Sequence, residues 1–380
     1  MFEARAGHQR SLSGGAAASV KSVKTVQKRA KRVNKRKTIR TVSGIRTLAT
    51  LWIVLGHFQD TAVRHGRDET FLLVLNRGYI PVGMYIMLSG FITHYAYRSK
   101  TYASANAVLS FYFRRLGRVL FTYFASCAVG LVDPLFTRHD ALATKYPSQA
   151  IATVFLVQSW FELPDSEAWA RDVPSQPNPA GWTISTLLLA WLLYPVLNSG
   201  MRAFNARLAR GSVRVKCGLI AGLYLIAIAP CVGLFIAQNG KIPNQQFELL
   251  YKYPPLRLAE FAMGMVFAEL VDEPKVNQTS VCRHSPDAIT IVFIVFVIFG
   301  DLNNQSLDLV PELVEQPLVR EDAETFLVSG LSPAMGMMLL GYSINSGEAA
   351  RFSLTGALEH PILTELGGFS FAVYCFQYTL

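Results

Sequence analysis

Charge is thin in this chain: 16% of its 380 residues are Asp, Glu, Lys or Arg, against 51% that are hydrophobic. The length alone would allow two soluble domains, but so little charge cannot clothe them. With a mean hydropathy of +0.28 the composition points to one lipid-embedded body. Cysteine is equally sparse. Of the five, Cys127, Cys217, Cys231 and Cys375 lie in or beside apolar runs, and no two have redox or metal-motif spacing. They read as small packing residues. Cys282 and His284 are close neighbours, but a zinc site needs more ligands than two, so no metal is expected. No repeat of solenoid or transporter period is visible.

Acid is almost missing from the first 40 residues, which hold twelve Lys and Arg and a single Glu3. The whole chain carries +10, so this tail accounts for about +11 and the body is close to neutral. Lys28, Arg29, Lys31, Arg32, Lys35, Arg36 and Lys37 stand just ahead of the first apolar run. Such an excess of cations holds a terminus in the cytosol and attracts anionic lipid head groups. A transit peptide or a nucleic-acid patch is the less favoured reading, and no nucleic-acid partner is expected. Residues 1–40 are read as a disordered basic cytosolic tail, and 41–380 as the membrane domain.

What the chain has in quantity is apolar sequence. A helix needs about 20 apolar residues to cross the hydrocarbon, and candidate runs fall near 43–63, 78–97, 112–132, 148–161, 181–198, 216–237, 255–271, 286–300, 325–344 and 368–380. The expectation is an all-α, polytopic bundle of about ten transmembrane helices. The fourth and eighth runs are short enough to be tilted, re-entrant or partly inserted. The tenth stops at Leu380 while still apolar, so the chain is expected to continue in the natural protein. With the tail cytosolic, the connection from Arg98 to Arg118 is cytosolic too. Ten simple crossings would put the Arg202, Arg207, Arg210, Arg214 and Lys216 connection outside and the acidic Glu162–Asp172 stretch in the cytosol, against the positive-inside rule. A fourth run that fails to cross reverses both assignments.

Several residues in these runs could carry chemistry. In the first, ten residues separate Arg46 from His57. Eleven helical steps come within about 20° of three full turns, so both side chains share a face about 16 Å apart along the axis. Ionisable groups so deep in a membrane mark a functional site by default, although a snorkelling Arg and a carbonyl-bonded His would explain them structurally. At the start of the third run, Arg115 and Arg118 lie three apart. Two guanidiniums there make a clamp for phosphate or a plain positive-inside anchor. Asn178 to Ser185 is a turn opening into a span, with Trp182 and Ser185 as candidates, although Ser185 could simply bond its own helix. Arg257 and Glu260 are spaced to pair. Ser89-Gly90-Phe91 could be small-residue helix packing.

Together these segments resemble the acyltransferase-3 family. Arg46 and His57, Leu88-Ser89-Gly90-Phe91, and Arg115 with Arg118 match its motifs in type, order and spacing. Pro179 to Ser185, Pro255 to Gly264 and Ser370 to Tyr374 are similar to later ones. The resemblance covers about residues 40–380. It implies transfer of an acyl group, usually acetyl, from a cytosolic acyl-CoA co-substrate to a hydroxyl of a carbohydrate, lipid or small molecule, with no permanently bound cofactor. Arg115 and Arg118 would hold the coenzyme phosphates. Arg46 would assist there or polarise the thioester carbonyl, and His57 would act as general base or transient acyl carrier. Three positions depart from the family pattern. Gly83 stands where an acid is common, Leu187 where a Glu is, and Gln377 where a His is. They favour, as the alternative, a non-catalytic transporter or lipid-binding relative.

Overall fold

The apolar runs become helices, and their boundaries follow from local chemistry. The computed structural model describes residues 39–57, 78–131, 151–160, 178–209, 212–238, 244–277, 279, 285–295, 329–347 and 353–377. The tail through residue 38, the acidic stretch holding Glu162 to Asp172, Cys282 and His284 lie outside them. The elements are α1 (Arg40–His57), α2 (Tyr79–Tyr97), α3 (Ala105–Gly130), α4 (Trp182–Phe204), α5 (Val213–Ala237), α6 (Asn244–Lys252), α7 (Pro254–Leu270), α8 (Ser285–Val295), α9 (Ser332–Asn345), α10 (Leu354–Leu358) and α11 (Pro361–Phe376). No strand occurs among the described residues. Proline opens α7, α9 and α11, where its missing N–H costs nothing because the first turn has no intrahelical acceptor for it. Ser104 caps α3 by accepting the Ala107 N–H at 3.3 Å.

Cross-contacts give each helix its direction. Ile53 of α1 clusters with Val82 of α2, and Thr50 bonds Tyr85, so these two helices are antiparallel. Phe111 of α3 packs on Tyr97 while Arg115 reaches Ser89, which turns α3 back again. Trp191 and Asn198 of α4 bond Ser89 and the Lys100 carbonyl in turn, so α4 runs with α2. So does α7, through its close approach to Gly90 and the contact of Glu269 with His94. α11 runs with α1, as Leu363 accepts from Thr47 and Tyr374 clusters with Ile53.

The fourth expected crossing is not a single continuous helix. Its described part is helical only at 151–154 and then turns. Asn178, just ahead of α4, donates to Ser126 near the end of α3 (2.7 Å), and Gln158 donates to Tyr123 (3.0 Å). The segment between α3 and α4 therefore starts and finishes at the same end of the bundle. As a result Arg202 donates to the Lys100 carbonyl and to Thr101, and the two Arg-rich connections share one end, as the positive-inside rule requires.

Among the described residues two helical stretches are long and apolar enough to cross a membrane by length and composition, Pro179–Leu208 and Val213–Ala237. The second exposes Leu225, Ile226, Val232 and Ile236. At the centre, α2 and α7 touch backbone to backbone. A Cβ at Gly90 would be driven into the Phe261 carbonyl, and one at Gly264 into the Met87 carbonyl, so only glycine permits the crossing.

Candidate active site

α1 carries Arg46 and His57 on one unbroken helix, so about 16 Å of helix separates them. The stripe they share also holds Thr50 and Ile53, both buried, while Leu48, Leu51 and Leu55 on the other side are exposed. The shared face is thus turned into the bundle. At its centre the Tyr85 hydroxyl bonds Thr50 and donates to the Arg46 carbonyl at 2.8 Å. Arg46 is half-buried. His57, the last residue of α1, is exposed.

Arg115 sits at the level of Arg46. Its Nη2 donates to Ser89 Oγ at 3.1 Å, and its guanidinium carbon lies 4.7 Å from the centroid of the Trp191 ring, a cation–π contact. Trp191 Nε1 donates to the same Ser89 oxygen at 3.0 Å. The Nε of Arg115 is buried and has no hydrogen-bond partner among the described residues. The positive charges of Arg46 and Arg118 both act on it. Arg115 and Ser89, both candidates from the sequence, are thus in contact, and Trp191, which sequence reasoning missed, completes the group.

Arg115 and Arg118 differ in exposure. Their three-residue spacing places them about 60° apart. The buried stripe of α3, Phe111, Val119, Tyr123 and Cys127, takes Arg115 inward and leaves Arg118 exposed.

The other candidates form a second group. Arg257 Nη1 donates to Glu260 Oε1 at 3.0 Å, and Ser332 donates to the same oxygen at 3.2 Å. Both members of the pair are fully buried. Arg257 Nε and Nη2 and Glu260 Oε2 lack partners. The Tyr251 ring lies against Arg257 (5.9 Å) and against Trp182 (4.7 Å). Ser185 accepts the Ser159 N–H at 3.3 Å, pinning the turn at 151–160, so its bond goes to a neighbouring segment and not to its own helix. Among the described residues no group of three or more His, Cys, Asp and Glu gathers as metal ligands do.

Four helices thus bring a part-buried guanidinium, two further arginines and the helix that carries an exposed imidazole into one bundle, in the order of the motifs quoted above. A family model described as an acyltransferase domain matches residues 39–380. The chain belongs to the acyltransferase-3 family. This acyltransferase-3 protein is accordingly a member of a membrane-embedded family of acyltransferases. No curated protein and no solved structure matches it. Of the positions where it departs from the family, Leu187 is buried in the apolar cluster around Phe111 and Trp191, and Gln377 is buried with neither amide atom bonded among the described residues.

Proposed function

We propose that this protein is a multi-pass membrane enzyme, its N-terminus cytosolic. It moves an acyl group, acetyl in the simplest case, from cytosolic acyl-CoA to a hydroxyl of a carbohydrate, lipid or small-molecule acceptor. The observation that carries the reading is the Arg115 guanidinium, held in the bundle by Ser89 and Trp191 within the field of Arg46 and Arg118. A cation desolvated and fixed in this way is prepared for a multiply charged ligand. Arg115 and the exposed Arg118, one turn along the same helix, would hold the coenzyme phosphates between them. Arg46 would assist at the same level, and its helix leads inward to His57.

In the reaction His57 removes the proton of the acceptor hydroxyl, whose oxygen attacks the thioester carbonyl carbon. The carbon–sulfur bond breaks, and the departing thiolate takes up the proton, so an ester and free coenzyme result. A preorganised cation near the carbonyl oxygen stabilises the charge that develops there. No resident cofactor is required.

The test is calorimetric binding of acetyl-CoA to detergent-purified protein, native against Arg115→Ala with Arg118→Ala. Binding that the double variant loses supports the reading, and native protein that binds no acyl-CoA ends it. A His57→Ala protein with undiminished transfer would remove the role of His57. Leu187, apolar and packed where the family carries Glu, favours the second reading of a bundle that binds without catalysis. Donor binding without turnover over a panel of acceptors distinguishes it.

A further inference from the structure

Below the arginine site lies a polar seam to which the reading above assigns nothing. On α4 and its π-helical continuation (Asn205–Ala209), Trp191, Tyr194, Asn198, Arg202 and Asn205 recur at intervals of three and four residues, one stripe of the helix. Each bonds across to α2, its following turn, or α7. Trp191 bonds Ser89. The Tyr194 hydroxyl lies 3.4 Å from His94 Nδ1. Asn198 and Arg202 donate to the Lys100 carbonyl, and Asn205 donates to Glu269 Oε2 at 3.0 Å. His94 is fully buried, and its Nε2 is 2.7 Å from Glu269 Oε1. Apolar bundles seldom bury so many polar groups in a row without use for them, and π-helical turns frequently accompany functional sites.

We propose that His94, acting through Tyr194 and Trp191, is a positioning residue for the arginine site. This rests on the reading of Arg115 as a donor-binding group. Ser89 and His94 lie five residues apart on α2, and Trp191 and Tyr194 three apart on α4. The two bonds between these helices are therefore successive rungs of one contact, and the upper rung holds Arg115.

The lower rung depends on protonation. Tyr194 has a single hydroxyl hydrogen and two acceptors in range, His94 Nδ1 and Asn198 Oδ1 at 3.5 Å. With a neutral imidazole donating from Nε2 to Glu269, Tyr194 can satisfy only one of them. When His94 gains a proton, Nδ1–H donates to the Tyr194 oxygen, whose own hydrogen turns to Asn198, and both bonds form. The charged groups facing this unit are Glu269 from α7, Lys216 from α5 at 4.0 Å from Glu269 Oε2 and also paired with Glu273, and Arg98 from α2, paired with Asp272. The hydrogen gained at Nδ1 would complete the rung, so protonation of His94 is expected to tighten the arginine site.

The experiment uses the full chain in detergent, with acetyl-CoA affinity measured at about pH 6 and about pH 8 for native, His94→Gln and Tyr194→Phe proteins. In parallel, 5-fluorotryptophan labelling follows the fluorine signal of Trp191, assigned with Trp191→Phe. Native protein should bind more tightly at the lower pH. Tyr194→Phe should weaken binding about tenfold with an unchanged melting temperature, and in His94→Gln the pH-dependent part of the affinity should vanish together with the pH shift of the Trp191 signal. Rescue of affinity in His94→Gln by nothing more than added stabiliser would mean a merely structural role and overturn the proposal. If native protein binds no acetyl-CoA while the Trp191 signal responds through His94, the donor reading falls and the seam stands. A Trp191 signal indifferent to pH in native protein sinks the seam whatever the donor does.

Discussion

Arg115 on α3 and Trp191 on α4 donate to one acceptor, the Ser89 hydroxyl of α2. Three helices meet through that oxygen, and both lone pairs are taken. Ser89→Ala strands an indole N–H and a guanidinium N–H in the interior, at a cost of about 1–3 kcal/mol. The variant should melt several degrees lower and bind acyl-CoA less tightly, whereas Ser89→Thr, which keeps the oxygen, should lose less. Melting curves with calorimetry on the same samples check both.

The α2–α7 crossing makes a sharper demand. Gly264→Leu would push side-chain atoms into the Met87 carbonyl, a backbone atom that cannot swing away, so the variant should fail to fold and should elute as aggregate in size-exclusion chromatography. Gly200 on α4 has open space where its Cβ would stand. Gly200→Ala should therefore fold and gain about 0.5–1 kcal/mol from the stiffer helix.

Residues related within one helix were legible from sequence, because spacing alone fixes them. The face shared by Arg46 and His57, and the pairing of Arg257 with Glu260, follow from 3.6 residues per turn. Relations between helices were not. Nothing local says that Trp191 meets Ser89, or that His94 in the second run meets Glu269 in the seventh, although each of the last two is an ionisable residue in an apolar run and could have been flagged on that ground. The inward turn of Arg115 and the outward turn of Arg118 depend on which stripe of α3 is buried. The turn within the fourth run was not foreseen because hydropathy cannot tell a buried turn from a span. Thr153, Gln158 and Ser159 are buried there against α3 and α4, which a length count does not register.

The Arg257–Glu260 pair separates two kinds of burial cost. Removing one charge leaves the other unpaired in the interior, so Glu260→Ala should cost about 3–5 kcal/mol. Replacing both by methionine removes the orphaned Nε, Nη2 and Oε2 atoms along with the charges. The double variant should therefore be more stable than either single one in thermal melts. A double variant that folds well but no longer transfers acyl groups would place the pair in the chemistry.

Gln377 poses the opposite case, a buried amide that bonds nothing among the described residues. It is 7% exposed, and both its oxygen and its nitrogen lack partners. It lies one turn beyond Tyr374, whose hydroxyl donates to the Ala180 carbonyl. A polar group desolvated without a partner costs about 1–3 kcal/mol, so an apolar replacement of similar shape recovers that amount. Gln377→Met should therefore raise the melting temperature by a few degrees. A fall would mean that the amide has a partner in the working protein, and at the end of α11, which runs alongside α1, an acceptor is one candidate to test. Comparing the shift with and without candidate acceptors then decides the matter: an acceptor bound through Gln377 stabilises the native protein and leaves Gln377→Met unchanged.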